Sequence, residues 1–140
     1  MMKMKRMFPV VLAVVIALGA LMPVVLQAGT ASACTEGLTP GYWKNHTDRW
    51  TGHSPTCYFD EVFGVGPHRT LLQVLQTGGG GQIALNRHAV ASLLNAYRFA
   101  PDWYSPGWVI ARVQYAYSSG NYESVKNQLE ALNELGVAGD

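Results

Sequence analysis

Four consecutive glycines, Gly78-Gly79-Gly80-Gly81, divide the chain. Each glycine inside a helix costs about 1 kcal/mol relative to alanine, so no helix continues cheaply through the run. On both sides of it apolar residues recur three and four positions apart, and residues 34–140 show no sustained alternation of period two. Such a chain folds as short helices joined by turns. The run is not a phosphate loop, because no Gly-Lys-Ser/Thr follows it and no strand precedes it. It reads as a flexible connection between two helices.

Cap residues followed by proline mark further helix starts. Thr39-Pro40 opens a short helix over 40–47, since proline at the first helical position lacks only an N–H that has no partner there. Asp60 caps a single turn that Gly64 ends, and Pro67 or Thr70 starts a helix with Leu71, Leu72, Val74 and Leu75 on its apolar face. Residues 82–99 form the strongest helix, with Ile83, Val90, Leu94 and Tyr97 on one stripe widened by Leu85, Ala89 and Leu93. Ser105-Pro106 starts the next, which carries Val109, Val113, Ala116 and Tyr117 and stops at Gly120. Asn121 caps the last, with Val125, Leu129 and Leu132 inward. The expected fold is all-α: a compact array of about five short helices with a loop-rich, disulfide-stapled N-terminal segment.

The staple depends on export. Lys3, Lys5 and Arg6 precede an apolar run from Phe8 to Leu26, and Ala31-Ser32-Ala33 supplies the small residues that signal peptidase reads. Residues 1–33 are therefore expected to be a signal peptide that is removed, and 34–140 a single secreted helical domain; retention as a membrane anchor is the other reading of so long a run. After cleavage no stable membrane span remains. The first mature residue is then Cys34. Lipidation there would suit a larger aliphatic residue at position 31 better than Ala31. The favoured reading is a Cys34–Cys57 disulfide, formed by the only two cysteines in an oxidising compartment. Its loop of 24 residues would contribute about 3 kcal/mol on loop-entropy reasoning.

The mature part has 107 residues, 7 of them Lys or Arg and 9 acidic, for a net charge of −2. This gives no basic excess for nucleic acid. All four tryptophans and all seven tyrosines fall in it. Few charges and many rings leave little to keep copies apart, so self-association or docking on another cell-surface component is expected; the alternative is that the rings fill the core.

Local strings carry a resemblance. The run Leu38-Thr39-Pro40-Gly41-Tyr42-Trp43-Lys44-Asn45-His46 resembles the Thr-Pro-Gly-Tyr-Trp-Lys-Asn-His signature of a family of secreted bacterial domains of uncharacterised function. Thr70 to Gly81 is similar to that family's second block, and Arg87 to Ala96 to its third, so that most of residues 34–135 is covered. The resemblance implies an exported, often cell-surface location and a fold, not a chemistry. Cys34 lies five residues before Thr39 and the tail 136–140 has no cysteine, so the family's cysteine pattern does not carry over.

Catalytic signals are sparse. His46, His53, His68 and His88 include no pair at zinc spacing, and no metal or cofactor is expected. Ser92 lies one turn from His88, yet no strained turn presents it as a nucleophile. His88, Ser92 and Asn95 read instead as a polar helix stripe, solvated or interhelical. Asp60 and Glu61 are adjacent and point different ways on a helix. The ligand or interaction candidates are Tyr42, Trp43, Lys44, Asn45, His46 and Trp50. With Tyr58, their rings suit sugar faces, or else Trp43 and Trp50 lock the N-terminal loop into the core. The leading expectation is an exported non-catalytic structural or interaction module that self-assembles into oligomers or filaments; the alternative is a glycan or small-ligand binder using exposed Trp and Tyr. An enzyme using His46 or His88 is the least favoured.

Overall fold

The computed structural model describes residues 36–137. Residues 1–33, expected to be a signal peptide, and Cys34 lie outside the described residues, and Cys57 is half-buried. No disulfide occurs among the described residues.

Six α-helices occur there: α1 (Pro40–Asn45), α2 (Phe59–Phe63), α3 (Leu71–Gln76), α4 (Gly81–Phe99), α5 (Pro106–Ser119) and α6 (Tyr122–Asn133). A 3-10 turn, Thr47–Arg49, follows α1. Extended pairing is limited to two isolated antiparallel bridges, Gly37 with Gly136 and Tyr58 with Thr70. The described part of the chain is all-α, as its spacing implies, with six helices where about five were expected.

The start signals act as local chemistry requires. Thr39 accepts the Tyr42 N–H, and Ser105 accepts the Trp108 N–H, each with proline in the first turn. Thr70 and Gln73 form a complete capping box, which places the start of α3 at Thr70 rather than Pro67. Helix α1 stops at Asn45, short of the expected Thr47. Asp60 does not cap α2: the cap position is Tyr58, whose backbone is fixed by Phe59 N–H to Arg69 O at 2.8 Å and Leu71 N–H to Cys57 O at 2.8 Å. Asn121 occupies the cap position of α6 without a side-chain capping bond; its Nδ2 donates to Tyr115 Oη at 3.2 Å. Ala100 closes α4 at φ 42°, a left-handed conformation that strains a residue with a Cβ, and Pro101 follows at once.

Helix α4 is the hub, packed against α1, α3, α5 and α6. Leu85, Ala89, Val90, Leu93 and Leu94 are fully buried on it, and they meet Trp43, Phe59, Phe63, Leu71, Val109, Val113, Val125 and Leu129 from the other elements. Each large apolar side chain buried this way contributes about 1.5–3 kcal/mol. Ile83 and Tyr97, expected on the inward stripe, are exposed near the two ends of α4. No helix among the described residues is long and apolar enough to cross a membrane.

The N-terminal segment closes the array. Gly37 and Gly136 exchange two backbone hydrogen bonds of 2.7 and 3.0 Å, which ties the segment before α1 to the one after α6. Gly37 approaches α6 so closely that a Cβ there would run into the Leu132 carbonyl oxygen.

Candidate functional site

Leu38 and Trp43 meet the polar stripe of α4 inside the protein. Helix α1 carries Trp43 with no exposed surface, and its indole N–H donates to Asn95 Oδ1 at 3.0 Å. The same oxygen accepts the Leu38 N–H at 3.0 Å, while Asn95 Nδ2 donates to Leu38 O at 2.9 Å. Asn95 thus pairs with the Leu38 peptide as another backbone strand would. Its second Nδ2 hydrogen goes to Asn133 Oδ1 on α6 at 2.9 Å.

Asn133 continues the network. Its Oδ1 also accepts Ser92 Oγ–H at 2.9 Å, and its Nδ2 donates to His88 O at 3.1 Å and His88 Nδ1 at 3.2 Å. Both amides therefore use two acceptor and two donor sites, which saturates their hydrogen-bonding capacity. Ser92, Asn95 and Asn133 have no exposed surface. A buried polar cluster is stable only when it is satisfied in this way, because each unpaired group retains its full desolvation cost.

His88 is half-buried at the outer end of this chain of bonds. Its Nε2 lies 3.8 Å from Glu130 Oε1, and Glu130 pairs with Lys126 at 2.8 Å. Burial pushes the His88 pKa below its ordinary value, partly opposed by Glu130. Ser92 and His88 do not form a nucleophile–base pair: Asn133 holds the Ser92 hydroxyl and occupies the His88 Nδ1 lone pair. The stripe is interhelical.

The other ligand or interaction candidates lie around Trp43. Trp50 is half-buried and donates its indole N–H to Trp43 O at 2.9 Å. Tyr42 packs edge-on against Trp43 at 5.2 Å and lies tilted by 34° over His46 at 4.2 Å, and its hydroxyl accepts from Arg49 at 2.8 Å. Lys44 and Asn45 are exposed, with Asn45 Nδ2 returning to Gly41 O at 3.0 Å. Trp43 therefore offers no face to a sugar, and a glycan reading loses its central ring. Trp43 and Trp50 lock the N-terminal loop down.

The other histidines lie apart. His68 pairs with Asp60 at 3.0 Å and stacks on Tyr58 at 4.0 Å, both at the surface. His53 contacts Tyr97 Oη at 3.3 Å. Among the described residues no three His, Cys, Asp or Glu side chains are grouped to hold a metal.

Three features escaped sequence reasoning. Asn133 continues the Val125–Leu129 spacing by four, and a polar residue on an inward face was its visible signal. Tyr104 is buried beside Trp103 and Trp108, with ring centroids at 4.7 and 5.8 Å. A cleft of about 400 Å³ between α3 and α4 carries Arg69 and Asn86 in its wall.

No protein-family model, curated protein or solved structure matches the chain.

Proposed function

We propose that the chain is an exported, non-catalytic structural or interaction module that acts outside the cell or on its surface by associating with copies of itself. In this reading residues 1–33 direct export and are removed, and Cys34 bonds to Cys57. The observation that carries it is the division of labour among side chains. Polar groups that chemistry could recruit, Ser92 and His88, are bonded inward to Asn133. Large rings face outward instead: Trp103 is 43% exposed and Tyr115 is 46% exposed. The mature part has only 16 charged residues in 107 to oppose contact between such surfaces.

Sedimentation velocity of the protein recovered from culture medium tests this reading, with mass spectrometry of its N-terminus. The expected result is a concentration-dependent oligomer whose chain begins at Cys34, two hydrogen masses below the dithiol form. Trp103→Ser is expected to weaken association at least tenfold; it also removes a ring packed on Tyr104 at 4.7 Å, so a modest fall in melting temperature accompanies it while the monomer stays folded. A monomer at millimolar concentration, or Trp103→Ser material that assembles unchanged, would overturn it.

A further inference from the structure

The cleft between α3 and α4 has an apolar side and a cationic side. Pro67, Val74 and Ile83 form the first; Arg69, Gln82 and Asn86 contribute to the second. Arg69 also borders an adjoining open groove with Gln73 and Gln76, so its side chain stands between the two spaces. No acidic residue lines either one.

Asn86 is only 6% exposed. Its Oδ1 accepts the Tyr117 hydroxyl at 2.9 Å, and among the described residues its Nδ2 has no hydrogen-bond partner. Among the described residues the Tyr104 hydroxyl is the fully enclosed side-chain polar atom without a partner, so the Asn86 Nδ2 reaches the open cleft and is free to donate to an acceptor placed there. Arg69 forms no ion pair among the described residues; the one hydrogen bond of its side chain there is a long 3.4 Å bond to Thr77 Oγ1. The first turn of α4, which supplies Gln82 and Ile83, has no side-chain cap because its cap residue is Gly80. Arg69 is the one charged side chain in the lining of the cleft, and the Asn86 amide adds a neutral donor beside it. The cleft is also held in shape: Arg87 donates to Thr77 O and Gly79 O at 2.7 Å each, which fixes the glycine connection to α4. Ile83, 43% exposed at the start of α4, gains burial only if the cleft is filled.

We propose that this cleft binds a small organic carboxylate with an apolar body. The carboxylate pairs with the Arg69 guanidinium, whose planar fork matches it in two parallel hydrogen bonds, and accepts the Asn86 Nδ2 hydrogen. The apolar body lies on Val74, Ile83 and Pro67. A volume of about 400 Å³ falls in the range of small-ligand sites. The proposal does not rest on self-association.

Titration of the full chain with 4-phenylbutyrate, 4-phenylbutyramide and acetate, followed by ¹⁵N-edited NMR, tests it. 4-Phenylbutyrate is expected to bind at least tenfold more tightly than the other two and to shift the Asn86 side-chain NH₂ signals. Arg69→Met should weaken 4-phenylbutyrate at least tenfold and leave the amide unchanged. Arg69→Lys should fall between, and Arg49→Met should have no effect. Arg69 is exposed, so a melting temperature within 2 °C of the parent is expected; should Arg69→Met prove less stable, Arg69→Lys supplies the comparison. Equal affinity for acid and amide, an unchanged affinity in both Arg69 variants, or shifts centred away from Asn86 would overturn the proposal.

Discussion

Trp43 and Asn95, 52 positions apart, share a 3.0 Å hydrogen bond that sets the direction of every bond beyond it. The indole N–H and the Leu38 N–H can only donate, so the Asn95 atom that faces them must be oxygen. That turns Asn95 Nδ2 toward Asn133, which must answer with its own oxygen. Asn133 Nδ2 is then left for His88, whose Nδ1 must accept and whose Nε2 therefore carries the proton. A tryptophan on α1 thus dictates the tautomer of a histidine near the opposite end of the network.

Breaking this sequence at its centre should be costly. Asn95→Ala leaves the Trp43 N–H and both polar groups of the Leu38 peptide without their partner. Each buried unpaired group costs about 1–3 kcal/mol; the Leu38 groups are only part-buried and regain water, so a total of about 3–5 kcal/mol is expected. Urea denaturation should show the midpoint falling with little change in slope. Asn95→Asp keeps the acceptor but sets a carboxylate against the Leu38 and Asn133 oxygens, and it should lose a comparable amount.

The helix starts were legible because their causes are local. Thr39-Pro40 and Ser105-Pro106 each act within three residues of themselves, whereas the sequence leaves the start of α3 open between Pro67 and Thr70 and the Thr70–Gln73 capping box fixes it. The stripe of His88, Ser92 and Asn95 was also legible as a spacing. Its meaning was not, because its partners Leu38 and Asn133 lie 38 to 57 positions away. Asp60 was misread as a cap for the same reason: the bridge between Tyr58 and Thr70 fixes the entry to α2 through backbone bonds that no residue type announces. Ile83 and Tyr97 obeyed the period of α4 but not its burial, because periodicity does not reveal where packed neighbours end.

Acid should loosen the network through His88. Burial lowers its folded pKa below 6.5, with Glu130 and Glu134 opposing the shift and Lys126 and Arg87 adding to it. Between that lowered value and 6.5 the unfolded chain binds more protons than the folded one, so stability rises with pH in this window. The contribution is complete above about pH 6.5, declines as pH falls toward the folded pKa, and then levels. Protonation also places a second N–H against Asn133 Nδ2. His53, lowered by burial as well, acts in the same direction. Comparing the parent with His88→Gln separates the two: the loss of stability between pH 7.5 and pH 5 should be smaller in the variant. Equal losses would show that His88 is not the sensor.

Gly37 leaves no room for a side chain because of its approach to Leu132. Gly37→Ala should push the segment off α6 and lengthen both bonds to Gly136, at a cost of about 1–3 kcal/mol. Amide exchange would localise the damage. The Leu38 and Gly136 N–H groups should lose protection first, while those of α4 residues such as Val90 keep it.

Tyr104 offers the opposite kind of test, a substitution that removes a cost. Its ring is 2% exposed, and its hydroxyl has no hydrogen-bond partner among the described residues. Burial raises its pKa to about 12. The ring packs against Trp103 and Trp108 whether or not the oxygen is present. Tyr104→Phe keeps that packing and deletes the unpaired polar atom, so the variant should be more stable by about 1 kcal/mol. For a domain of this size that is a rise of about 4–8 °C in melting temperature. In the parent, ultraviolet titration should show one tyrosine ionising last, near pH 12, and Tyr104→Phe should remove that step. A variant that melts lower than the parent would mean that the hydroxyl has a partner, and the late-ionising step would then belong to a hydrogen-bonded phenol rather than an isolated one.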